Sequence, residues 1–107
     1  MNESQIQTAI CDYLALRKHF FWRQNSTPSV YFKGGDTMQF RSMPKYAMRG
    51  VPDIIIISKE GKFIGLEVKT EKGKQSDYQF EFAKKCILHN AEYYIVRSID
   101  DVQKIGL

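Results

Sequence analysis

The sequence predicts a single α/β domain spanning residues 1–107, a mixed central β-sheet flanked by helices in the order α-β-β-β-α-β-α. Three observations carry that expectation. Apolar residues recur at helical spacing near the start of the chain and again after residue 76, while short β-branched and aromatic runs bounded by turn residues lie between and beyond them. The length, 107 residues, suits one compact domain with one modest core. The balance of 43% hydrophobic and 26% charged residues is that of a globular chain rather than a disordered one.

The first helix is expected over residues 3–18. Ile6, Ala9, Ile10, Tyr13 and Leu14 share one face, Asn2 or Ser4 can cap it, and Glu3 suits the positive end of the helix dipole. Residues 20–24, FFWRQ, read as a strand that ends at Asn25, Ser26, Thr27 and Pro28, with Phe21 and Trp22 expected in the core. Residues 26–50 hold Gly34, Gly35 and Pro44 and show no period; residues 37–40 are the part with strand character, and Tyr31 and Phe32 fit either a core or a binding role. A connection this long in a small domain is usually functional or mobile.

Residues 53–58 form an apolar strand whose four isoleucines imply burial on both faces. Glu60 and Gly61 signal a turn, and residues 62–70 return as its partner. Ser76 caps a helix running to about residue 90, with Gln79 completing a capping box and Phe82, Ala83, Cys86 and Ile87 as the apolar stripe. A strand over residues 93–96 and a short helix capped by Ser98 and running to Lys104 complete the order.

The net charge of +4 leans towards a polyanionic partner, though many small basic proteins bind none. Cys11 and Cys86 sit at apolar helical positions and are expected as buried free thiols, not as a metal site or a disulfide framework. The apolar run at residues 54–57 is far too short to span a bilayer, and the first ten residues lack a leader's basic and apolar regions, so the expectation is a cytoplasmic protein without a membrane partner.

Asp53 and, 14 residues later, Glu67-Val68-Lys69 are the candidates for chemistry. With the turn near residue 60, Asp53 and Glu67 fall opposite each other on a hairpin, and Lys69 leaves the strand on the same face as Glu67. Two carboxylates about 4 Å apart repel by roughly 4 kcal/mol at an effective dielectric of 20. A divalent cation reverses that cost. Oxygens from Asp53, Glu67 and the Val68 carbonyl suit Mg²⁺ or Mn²⁺, and Lys69 can orient an attacking water or stabilise a pentavalent phosphorus. Gly50 is expected to let a polyanion approach the backbone. Arg41, Lys45 and Arg49 before the site, with Lys72 and Lys74 after it, are candidate phosphate contacts.

Gly50-Val51-Pro52-Asp53, Glu67-Val68-Lys69-Thr70 and Ser76-Asp77-Tyr78-Gln79, in this order and at these distances, resemble the PD-(D/E)xK nuclease superfamily. Within it the chain is similar to the virus-type replication-repair nuclease (VRR-NUC) domain, from Glu3 to Ser98. The resemblance implies a metal-dependent DNA endonuclease, often acting on branched DNA, from a bacterial or phage setting. Small stand-alone members look like Holliday-junction resolvases working as homodimers. It also implies Asp53, Glu67 and the Val68 carbonyl as metal ligands and Lys69 as the catalytic lysine. Glu3 would join the metal directly or through water, and Gln79 would orient the site. On the residues alone, Glu3 is equally a first-turn acid and Gln79 equally a capping partner, while His19 and His89 match no part of the motif. Two rivals stand beside the resolvase reading: the same chemistry on flaps or duplex DNA, and a module that binds branched DNA without cutting it. An RNA target is a third.

Overall fold

A computed structural model describes residues 1–24 and 44–107, and between them the backbone of Val30–Lys33 and Thr37–Phe40. The elements are α1 (Glu3–Leu16), β1 (Phe20–Arg23), β2 (Val30–Lys33), β3 (Thr37–Phe40), β4 (Ile54–Ile57), β5 (Phe63–Val68), α2 (Asp77–Leu88), β6 (Glu92–Val96) and α3 (Ile99–Lys104). A four-stranded sheet runs β1-β4-β5-β6. The β1/β4 and β4/β5 pairs are antiparallel, and β5/β6 is parallel, a pairing that requires a crossover connection, here supplied by α2. The sheet is therefore mixed, and each strand and helix expected from the sequence is present.

The segment before β4 contains more than the sequence suggested. β3 matches the stretch with strand character, and β2 pairs with it as a separate two-stranded antiparallel hairpin. Tyr31 and Phe32 lie in β2; their side chains, and Arg41 altogether, fall outside the described residues.

Local chemistry explains where the helices begin. Asn2 Oδ1 accepts from Gln5 N at 2.8 Å while Gln5 Oε1 accepts from Asn2 N at 2.9 Å, a reciprocal box that starts α1. Ser76 and Gln79 do the same for α2, at 3.2 and 2.8 Å. Ser98 Oγ accepts from Asp101 N at the start of α3. Gly61, at φ 83°, makes the β4–β5 turn, its N–H donating to the Ser58 carbonyl.

Ile6, Ile10 and Leu14 of α1, one residue per turn, pack with Val102 of α3 on one face of the sheet. They meet Ile54 and Ile56 of β4, Ile64, Leu66 and Val68 of β5, and Val96 of β6. Each fully buried aliphatic side chain here contributes about 1.5–3 kcal/mol relative to exposure. α2 packs against β6. Its stripe is narrower than expected: Cys86 is buried and Phe82 and Ala83 half-buried, but Ile87 is 69% exposed because α2 covers only part of the sheet. Trp22 is also corrected. It is 39% exposed, pairing with Ile55 on the side of the sheet away from α1, while Phe21 packs into the core. Cys86 and Cys11 are free thiols, and Cys11 is only half-buried. Among the described residues no helix is long and apolar enough to cross a membrane.

Candidate active site

β5 has two unlike sides. Ile64, Leu66 and Val68 face the core, and Gly65, Glu67 and Lys69 alternate onto the opposite face. The β4/β5 register, Ile54 with Leu66 and Ile55 with Gly65, extends by one residue to set Asp53 opposite Glu67. β4 begins at Ile54, and the Asp53 carbonyl just before it accepts from Gln24 N at 2.7 Å, so the β1/β4 register fixes the Asp53 backbone as well.

Three local fits aim Asp53. Gly50 has φ 81°, and a Cβ there would sit 2.2 Å from the Tyr78 carbonyl oxygen, so residue 50 lies flush on the first turn of α2. This corrects the sequence reading of Gly50: the missing side chain admits α2, not a polyanion. Pro52, fully buried, lies on Gly65, where a Cβ would come within 2.5 Å of the proline ring. Asp53 Oδ2 then accepts from Val68 N at 2.8 Å. Lys69 N donates to Val96 O, so the Lys69 peptide faces β6 and the Val68 peptide faces the Asp53 side. The Val68 carbonyl leaves the strand on that same side. Neither the Gly65–Pro52 fit nor the Asp53–Val68 bond was foreseen; the signal was a glycine in the middle of an otherwise apolar strand.

Glu67 is 2% exposed. Its Oε1 accepts from Gln79 Nε2 at 2.6 Å and lies 3.8 Å from Lys69 Nζ. Its Oε2 is buried with no hydrogen-bond partner among the described residues. Burial pushes the Glu67 carboxyl up to about 8; the adjacent Asp53 adds to the rise, Lys69 opposes it, and Glu3 adds the smallest increment. Gln79 makes two contacts with one amide: its Oε1 accepts from Ser76 N in the capping box, and its Nε2 donates to Glu67. Tyr93 lies beside Gly65 on the same face, its hydroxyl buried and unpartnered among the described residues, and burial with the nearby Glu67 raises its pKa.

Asp53, Glu67, Lys69 and Gln79 thus come together, with the Val68 carbonyl beside them. Glu3 stays at the margin: among the described residues no three Asp, Glu, His or Cys side chains converge as a metal cluster. The basic candidates lie on both flanks. Lys45 packs over Tyr46 and Arg49 over Tyr78, and Lys72 and Lys74 ride on a loop pinned by Arg97 Nη2 to Gly73 O at 3.0 Å. His19 and His89 bond to the Leu107 and Lys85 carbonyls, away from this cluster.

No protein-family model matches the sequence, and no curated protein matches it significantly. Among solved structures, one described as a VRR_NUC domain superposes with a TM-score of 0.66 at 18% identity, covering 96% of this chain and 91% of its own. Likeness at that identity speaks for architecture, and it spans nearly all of both chains. The chain has the fold of a VRR_NUC domain.

Proposed function

We propose that this chain is a nuclease domain, residues 1–107, that hydrolyses DNA phosphodiester bonds with Mg²⁺ or Mn²⁺. The observation that carries the reading is Glu67: a carboxyl group held out of water, set against Asp53, with Oε1 bonded to Gln79 and Oε2 meeting no N–H or hydroxyl donor among the described residues. Such an arrangement costs stability, and a divalent cation offsets the cost. The donor set fits, being all oxygen: Asp53, Glu67 Oε2 and the Val68 carbonyl would hold the ion, and Glu3 would join it directly or through water. A cation held there supplies charge against the phosphate and acidifies the attacking water.

The chain's own groups do the rest. Gln79 holds Glu67 Oε1 and Val68 N holds Asp53 Oδ2, so each acid is fixed by one oxygen and keeps the other for a cation. Lys69, with its side chain 12% exposed, brings an ammonium to the edge of the acids, where it orients the water or stabilises charge on the phosphorus. Lys45, Arg49, Lys72, Lys74 and Arg41 bind flanking phosphates.

The narrower proposal is a homodimer acting like a Holliday-junction resolvase in a bacterial or phage-infected cytoplasm; it rests on the sequence resemblance and the small size of the domain. A synthetic four-way junction tested beside flap and duplex substrates, with a Mg²⁺ and Mn²⁺ titration, checks both levels. Preferential cutting of the junction supports the resolvase, and equal cutting of all three removes it. Binding without product in either metal would make the chain a non-cleaving DNA-binding module.

A further inference from the structure

Beside the acidic centre a cavity of about 620 Å³ opens between residues 47–49 and α2. Its α2 wall is Tyr78, Glu81, Phe82 and Lys85, the i, i+3, i+4, i+7 positions of one helical face. A face with that spacing ordinarily lies on a core; here the Tyr78 ring is 57% exposed. Across the cavity Met48 lies against the opening, and the Arg49 guanidinium stacks 5.3 Å from the Tyr78 ring centroid. The Glu81 carboxylate is occupied by Lys84 at 3.2 Å. Arg49 and Lys85 therefore leave the opening cationic.

We propose that this cavity takes an unpaired nucleobase of the strand being cut, stacked on the Arg49–Tyr78 pair. Three features select that ligand. A half-exposed aromatic ring and a guanidinium plane are the two surfaces on which unstacked bases rest, without regard to sequence. A paired base is already stacked in its duplex, so only a single-stranded or extruded nucleotide can enter. The position is right: Gly50 packs its backbone on Tyr78, and the next helix residue, Gln79, bonds Glu67. The cavity wall is thus one residue along the helix from the amide that holds Glu67, the acid that would face the scissile phosphate. This inference rests on the nuclease reading for its ligand and sharpens it, favouring flaps, frayed ends and opened junctions over continuous duplex.

The test uses the full chain in EDTA with a single-stranded oligonucleotide carrying 2-aminopurine, whose fluorescence falls when the base stacks. Wild type quenches the signal at least twofold on binding. Tyr78→Ala abolishes the quench and weakens binding about fivefold or more, the lower end of what one stacked base contributes. Tyr78→Phe keeps both, because the ring and not the hydroxyl is used. With Mg²⁺, a substrate bearing unpaired nucleotides beside the cut is preferred over its fully paired counterpart, and Tyr78→Ala brings that ratio to one. No quench in wild type, or a quench that Tyr78→Ala leaves unchanged, overturns the proposal even if duplex is cut normally. A Tyr78-dependent quench without cutting in Mg²⁺ or Mn²⁺ supports the cavity and removes the nuclease.

Discussion

The two sides of β5 are buried to a similar degree and could hardly differ more in chemistry. On one, Ile64, Leu66 and Val68 interlock with α1 and α3, and nothing polar is left over. On the other, Glu67 is equally hidden but faces Asp53 with an oxygen unpartnered. One strand therefore supports the fold with its even-numbered residues and exposes the fold to a penalty with its odd-numbered ones. Burial of a carboxylate beside another is unfavourable unless a third party neutralises it. That asymmetry lets the two sides be broken separately.

The largest effect should come from the polar side. Lys69→Ala is expected to lower cleavage about a thousandfold, the scale of losing one group that stabilises developing charge. DNA binding should hold, and the unfolding free energy of metal-free protein near pH 7 should change by no more than about 1 kcal/mol, because the buried carboxyl that Lys69 faces is mostly protonated there and little ion pairing is lost. Cleavage under single-turnover conditions and denaturant unfolding measure the two halves. The reverse comes from the apolar side. Leu66→Ala should cost about 3 kcal/mol of stability through lost burial and a residual cavity. Its cleavage rate per folded molecule, measured well below the melting temperature, should stay near wild type. A thousandfold loss there would mean that the two sides are not separable.

How much of this was legible in the sequence follows the same divide. The helices and the strands of the four-stranded sheet were read within a few residues because Ile6, Ile10 and Leu14, or the isoleucines of β4, declare their period; β2, in a segment without one, was not. The acids were legible too, because a hairpin register needs only a turn, and Gly61 marks it. Trp22 and Ile87 were misjudged for one reason: residue type implies burial, but only the area of sheet that α2 covers decides it. Gly50 was misjudged because a glycine states that something comes close, not what; the neighbour is the Tyr78 backbone. Gln79 looked like a choice between two roles because sequence cannot show that one amide has two ends to use.

Glu67 also links the comparison to pH. Its pKa in the folded chain, about 8, lies above the 4.5 of the unfolded chain. Between those values the native protein holds a proton that the unfolded chain has released, so stability is full below the lower value and is lost as pH rises through the upper one. Metal-free protein should lose about 2 kcal/mol between pH 5.5 and 7.5, at up to roughly 1.4 kcal/mol per unit. Glu67→Gln, which cannot ionise, should flatten that slope, and so should saturating Mg²⁺ or Mn²⁺ in wild type. Thermal unfolding across the pH range reads all three. An equal slope in Glu67→Gln would place the proton elsewhere.

The smallest expected effect tests the join between the two sides. Ser76 Oγ caps α2 by accepting from Gln79 N, and Ser76 N in turn donates to the same glutamine whose Nε2 holds Glu67. Ser76→Ala should cost about 1 kcal/mol, the usual value of an N-cap. It leaves the backbone N–H of residue 76 intact, so the Gln79 amide keeps both its bonds and cleavage should change less than about threefold. Gln79→Ala removes the same capping box from its other end, and with it the one hydrogen bond to Glu67 Oε1. If the cap alone mattered, the two variants would fall together in stability and in cleavage. If Gln79 fixes Glu67, stability falls alike but cleavage falls further in Gln79→Ala. Gln79→Glu separates the contributions again: its carboxylate can still accept from Ser76 N, yet it sets a third acid against Glu67, and the cation required for half-maximal cleavage should shift. The first turn of α2 would then be tuned less for its own helix than for the carboxylate it holds.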